Sequence, residues 1–486
     1  MKLHYKLWLY WFVTAGLQLS CGSNSSAACF SMVVGKDASA NGCVIVAHNE
    51  DDGAPQVVNH YKMPRRTFPP GAKYRLIGGG ELEQPPETWA YFWSEMPGML
   101  FSDSFVNEWG VAICSNACPS REDNPDLTEG GIDMDLRRIV AQRAKSAREG
   151  VHIAASLVER FGYKSSGRTY IICDAQEGWL FCAILGKRWL AARVPDDQVA
   201  VIANTYSVHH VDLADTVNFL ASEDLYNYAA TRGWYDPRVN TPFDFAVAYA
   251  SQPAAADSNN FCRQWSGFRR VSSIEVQLSP VLPLSVKPEH KISISEVMAL
   301  LRDHYEGTEL YRASQQVVDL HSGRVNTICN ETTQTSFVVQ YKPQLPPALS
   351  IVCWVCLSSP CTSCYIPFYL GIPDFPAGYA ADLDKPSLER CQQLVEAPFQ
   401  PNLAQAFWTF SNFHHHFTSA FEQRLSELRN DMGALEASAG EQQPAIETRT
   451  QTLLRDDPAK AAQLLFDYSQ DLYHKSLQVL DKTLKK

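Results

Sequence analysis

Over residues 31–49 the chain reads Ser-Met-Val-Val-Gly-Lys-Asp-Ala-Ser-Ala-Asn-Gly-Cys-Val-Ile-Val-Ala-His-Asn, two β-rich runs on either side of an Asn-Gly pair at 41–42. Asn and Gly accept the positive φ of a tight turn, so this pattern predicts an antiparallel hairpin. Similar runs predict strands at 110–115, 169–173, 179–184, 199–203, 336–340 and 349–356. Apolar residues recurring three and four apart predict helices at 133–147, 150–161, 211–230, 243–249 and 293–304. The last opens with Ser293 and Glu296 spaced as a capping box.

Strands come in clusters with helices between the groups, which predicts an α+β fold over a doubly wound parallel sheet. Past about residue 386 the texture changes. Segments 387–397 and 402–435 read as long helices, a Gly/Glu/Gln/Pro stretch at 440–444 as a break, and 445–486 as helix again. The expected organisation is a leader at 1–28, a main domain at 29–385 and a helical C-terminal extension at 386–486.

At 486 residues, 45% hydrophobic and 20% charged, the chain is long enough to bury a core without cross-links. A net charge of −11 disfavours nucleic acid and anionic membrane surfaces as partners, since both demand a basic face. No run of 18 apolar residues reads as a spanning helix.

Lys2 and Lys6, the apolar stretch 7–19 and the small residues 20–28 form a secretory signal, too short to span a membrane. A cut after Ser26-Ala27-Ala28 makes Cys29 the first mature residue, and export follows as an expectation. A competing cut before Cys21 would leave a lipid-anchored chain. In an exported protein the 14 cysteines suggest disulfides. The two C-x-x-C pairs Cys353/Cys356 and Cys361/Cys364 sit too close together for a zinc ribbon, which leaves disulfides or buried free thiols.

If Cys29 becomes the amino terminus, a thiol and a free α-amine share one residue. The amine's pKa near 8 then lets it serve as general base for the thiol, with no catalytic histidine. The alternative is a disulfide cysteine that merely adjoins the leader. Context bears on the choice. The run from Ala28 through Cys29 and the 31–49 hairpin to Glu50-Asp51 resembles the opening of the N-terminal-cysteine dipeptidases, the dipeptidase A and secernin group of N-terminal-nucleophile hydrolases. Further similar blocks are Asn107-Glu-Trp-Gly-Val-Ala112, Gly186-Lys-Arg-Trp-Leu-Ala-Ala-Arg-Val-Pro-Asp-Asp197, Val201-Ile-Ala-Asn-Thr-Tyr206, Arg263-Gln-Trp265 and Thr332-Thr-Gln-Thr-Ser336. In family order they reach from residue 29 to about 380.

The resemblance implies a four-layer αββα sandwich and hydrolysis of dipeptides through an acyl-enzyme, with no metal or organic cofactor. It implies Cys29 as nucleophile, Asp51 as the carboxylate holding the nucleophile's amine or thiol, and Asn204 as an oxyanion donor. His48 departs from the Arg that many relatives carry there, so a permanent positive charge is expected to be lost and activity to grow more pH-sensitive. Arg263 is a candidate to replace that charge. Asn116 is either a second oxyanion donor or a turn cap before Pro119. Glu50 either receives a substrate ammonium or is an exposed hairpin acid.

Other readings stay open: a non-peptide amide as substrate on the same fold, a secreted binding protein in which Cys29 is paired, and a homo-oligomer. His414, His415 and His416 point about 100° apart on a helix and cannot share one metal, so they read as packing or solvated residues. Zinc-protease H-E-x-x-H, G-x-S-x-G and P-loop motifs are absent.

Overall fold

The hairpin forms where the pattern places it. In the computed structural model, Phe30–Val34 pairs antiparallel with Ile45–Asp51, so that Ser31 faces His48 and Phe30 faces Asn49. The structure describes residues 28–52, 57–96, 101–239, 242–273, 276–311, 321, 325–380, 402–417 and 421–485.

This hairpin sits near the centre of a seven-stranded antiparallel sheet. Its order is Ser285–Val286, Val199–Ile202, Phe30–Val34, Ile45–Asp51, Thr333–Tyr341, Ile351–Leu357 and Ile366–Tyr369. The second sheet has eight strands, ordered Phe219–Ala221, Trp189–Arg193, Gly178–Gly186, Tyr163–Cys173, Ala112–Ala117, Phe101–Asn107, Tyr91–Met96 and Asn59–Met63. Successive side chains of a strand point to opposite faces. Accordingly, Ile171 and Cys173 join a core with Met32 and Val33 of the first sheet, while Tyr170 and Ile172 pack with Leu136, Val151 and Val158 of two helices. Those helices, Asp135–Arg143 and Ala147–Phe161, cover the outer face of the second sheet.

Helix Ser258–Val271 packs against the first sheet, and Gly267 sets how closely. A Cβ there would lie 3.0 Å from Phe30 Cζ and 3.1 Å from Val201 Cγ1, so a larger residue would push the helix outward. Asp257 caps its start by accepting from Asn259 N at 2.9 Å.

Most predicted elements are present, and the Ser293/Glu296 capping box forms. Two are corrected. The 211–230 helix is confined to Leu225–Thr231, because Phe219–Ala221 is drawn instead into pairing with Trp189–Arg193. The break at 440–444 does not occur: helix Phe421–Asp456 runs through Pro444. An interior proline costs about 3 kcal/mol. It is offset by tertiary contacts on either side, where Lys342 Nζ donates to Gln443 Oε1 at 2.7 Å and to Glu447. The break falls at Asp457, which accepts from Lys460 N at 3.1 Å and precedes Pro458 at the start of helix Pro458–Leu484. The expected 387–397 helix lies outside the described residues.

The disulfide expectation is also corrected. The 12 described cysteines are all free and buried, five of them spread along strands of the two sheets. Among the described residues, no helix is long and apolar enough to cross a membrane.

Candidate active site

The hairpin register determines which side chains meet. Cys29, Ser31, His48 and Glu50 share one face of the paired strands, turned toward the second sheet. Cys29 Sγ lies 3.6 Å from Glu50 Oε1 and 3.6 Å from the Asp51 carbonyl. The other Glu50 oxygen is 3.0 Å from His48 Nε2, and Asp103 of strand Phe101–Asn107 reaches the same nitrogen at 3.3 Å. Beyond the imidazole, Ser31 Oγ meets His48 Nδ1 at 2.7 Å and donates to Asn116 Oδ1 at 2.5 Å. Asn116 Nδ2 in turn donates to the Cys29 carbonyl at 2.8 Å and to the Ile202 carbonyl at 3.2 Å. This chain of polar groups crosses from one sheet to the other beside the thiol.

A second set approaches Cys29 from helix Ser258–Val271. Arg263 Nη1 donates to the Cys29 carbonyl at 2.8 Å and to that of Ala28, while Nη2 donates to Asn204 Oδ1 and Asn260 Oδ1, each at 3.0 Å. Asn204 Nδ2 is buried without a hydrogen-bond partner. Asp51 accepts from Thr333 Oγ1 through one oxygen, and its other oxygen is buried and unpartnered.

Burial dominates the electrostatics. It pushes the Cys29 thiol up strongly, and the Glu50 carboxylate adds to that, so the thiol holds its proton. Burial likewise raises Asp51 to about 8, against the Thr333 hydrogen bond and the Arg263 charge. For His48, burial favours the neutral ring. The thiol of Cys114 and hydrogen bonds to Asp103 and Glu50 outweigh it and carry the His48 pKa well above its ordinary value. The upward direction of that shift favours the protonated ring, beside the Glu50 and Asp103 carboxylates that face it.

The model of peptidase family C69 matches residues 28–397. The chain belongs to that family. A probable dipeptidase of Salmonella dublin is 28% identical over 395 residues, covering 76% of this chain and 89% of its own. A probable dipeptidase B of Streptococcus pyogenes serotype M1 is 25% identical over 459 residues, covering 90% and 88%. Among solved structures, penicillin V acylase from Agrobacterium tumefaciens aligns at 12% identity and a TM-score of 0.35, over 73% of this chain and 89% of that one.

In this C69 peptidase, the seven residues singled out in sequence converge on one locus: Cys29, His48, Glu50, Asp51, Asn116, Asn204 and Arg263. Glu50 is buried, not an exposed hairpin acid. Asn116 caps no turn; it spends both amide hydrogens on main-chain carbonyls. Sequence reasoning missed Ser31, Asp103, Asn260 and Thr333. Ser31 was within reach, because it sits directly opposite His48 in the predicted hairpin, and so was Asn260, one helical turn before Arg263. Asp103 and Thr333 come from strands whose pairing no local pattern reveals.

Proposed function

We propose that the mature protein is an exported dipeptidase of the N-terminal-nucleophile type, beginning at Cys29 after residues 1–28 are removed. The observation that carries the reading is the double grip of Arg263, which holds the Cys29 main chain and the Asn204 oxygen at once. It ties the nucleophile's main chain to an amide whose nitrogen is buried and unspent.

A thiol held protonated by burial needs a base at the moment of attack. The liberated α-amine of Cys29 supplies one. It takes the thiol proton as sulfur bonds to the substrate carbonyl carbon, and Asn204 Nδ2 donates to the oxyanion that forms. The ammonium then returns the proton to the departing amine, leaving an acyl-enzyme. Water, deprotonated by the same amine, attacks the thioester and releases the acid. Asp51, neutral up to about pH 8 in the unprocessed chain, gains a cationic neighbour once the amine is free and ionises beside it.

Glu50 favours a dipeptide over an acylated amine. In a dipeptide the α-nitrogen stands two bonds from the attacked carbonyl, so a carboxylate 3.6 Å from the attacking sulfur is within reach of that ammonium. Asn116 is assigned to positioning, as the tie that fixes the Cys29 carbonyl.

The test combines the amino-terminal residue of the purified active protein with a panel of dipeptides and N-acyl amino acids. The reading expects Cys29 first and turnover of dipeptides. Full activity with Ala28 still attached, or turnover of acylated amines alone, overturns it.

A further inference from the structure

Four potential metal ligands meet on the flank of the first sheet, outside the catalytic locus. His304 follows helix Ile294–Leu300, Cys329 precedes strand Thr333–Tyr341, Cys361 lies in the turn Pro360–Thr362 after strand Ile351–Leu357, and His321 completes the group. Their ligand atoms all lie within 4.8 Å of one another. His304 Nε2 and His321 Nε2 are 3.1 Å apart, and His321 Nε2 is 3.8 Å from Cys329 Sγ and 3.7 Å from Cys361 Sγ.

These separations match the edges of a coordination tetrahedron. Zinc bonds of about 2.0–2.1 Å to nitrogen and about 2.3 Å to sulfur give N···N edges of about 3.3 Å and N···S edges of about 3.6 Å. Glu306 Oε1 and Arg429 Nη2 each approach His304 Nδ1 at 3.2 Å, so Nε2 is the nitrogen left to face the cluster. Both cysteines are free, and they and His304 are buried.

We propose that His304, His321, Cys329 and Cys361 form a structural zinc site. With four protein ligands and no open position, it holds chain segments together and performs no chemistry. What it joins is adjacent to the catalytic strand. Asn49, next to His48, donates to the Leu301 carbonyl at 3.0 Å and to the Ile328 carbonyl at 2.9 Å, and Cys329 N donates to the Asp303 carbonyl at 3.2 Å. The metal would pin the two segments that Asn49 bridges. The short spacing of the C-x-x-C pairs had argued against zinc on four cysteines. The donor set found here draws only Cys361 from those pairs and takes its other ligands from distant segments.

The test is metal analysis of the full chain purified without chelator. Wild type and Cys29→Ala are expected to carry about one zinc per chain. Cys329→Ser and Cys361→Ser are expected to lose at least about tenfold of it, with a lower melting temperature. Keeping zinc in Cys29→Ala separates this site from the thiol, imidazole and carboxylate of the active centre. Should the cysteine variants fail to fold, cobalt-loaded wild type decides: tetrahedral ligand-field bands with a thiolate charge-transfer band are expected. Wild type that holds no zinc and takes up cobalt without thiolate absorption overturns the proposal. So does a Cys329–Cys361 disulfide in the purified protein, or full zinc content in the serine variants.

Discussion

Arg263 Nη2 donates to Asn204 Oδ1 at 3.0 Å, which fixes the orientation of the Asn204 amide and leaves its buried nitrogen unpaired. If that nitrogen meets the oxyanion, Asn204→Ala lowers kcat by about 10²–10³-fold with KM little changed. Arg263→Lys, which cannot fork between the Cys29 carbonyl and Asn204, is expected to lose activity as well. Steady-state kinetics on one dipeptide checks both. An unchanged kcat in Asn204→Ala removes that residue from the mechanism.

Cys29→Ala is expected to abolish hydrolysis, and Cys29→Ser to leave weak activity, since a hydroxyl is far harder to deprotonate beside an amine than a thiol. Both variants keep the main-chain hydrogen bonds that Asn116 and Arg263 make to residue 29, so circular dichroism should report a native fold. Wild-type turnover in Cys29→Ala rules the thiol out.

His48→Gln strands two buried carboxylates, Glu50 and Asp103, without their cation. Removing one partner of such a buried group costs about 3–5 kcal/mol, to be read from denaturant unfolding at pH 7. His48→Arg restores a permanent charge and is expected to retain most of the stability. Equal losses in the two variants would show that ring shape, not charge, is what the site requires.

His60 is buried against Phe375 and Tyr379, and burial lowers its pKa to about 3 from 6.5. A base with a depressed folded pKa binds its proton more readily when unfolded. Its contribution is therefore intact above pH 6.5 and is lost as pH falls toward 3. At two pH units below 6.5 the loss is about 3 kcal/mol. His60→Phe should flatten that acid limb in thermal melts taken between pH 4 and pH 7. An identical slope in the variant would discharge His60 as its source.

The hairpin was legible because its signal is local: two apolar runs, an Asn-Gly turn and a polar cluster at the return strand's end. The same register brought Cys29, His48 and Glu50 together, and their residue types announced the chemistry. Asp103 was invisible, since it reaches His48 only through stacking of the second sheet on the first. The Phe219–Ala221 strand lost its helical periodicity to an edge pairing, and Pro444 lost its breaking power to Lys342. In both cases contacts between segments far apart in sequence overruled local preference. The surroundings of His48 belong with these, because the carboxylate of Asp103 that faces its ring comes from the other sheet.

The Cys29 carbonyl is grasped from two sides, by Asn116 of the opposite sheet and by Arg263 of the covering helix. Neither grip involves the amide nitrogen that proteolysis would release. The proposed cut after Ala28 would thus alter the protonation chemistry of the first residue while both grips on its carbonyl remain, a switch in reactivity that demands no refolding of the strand it activates.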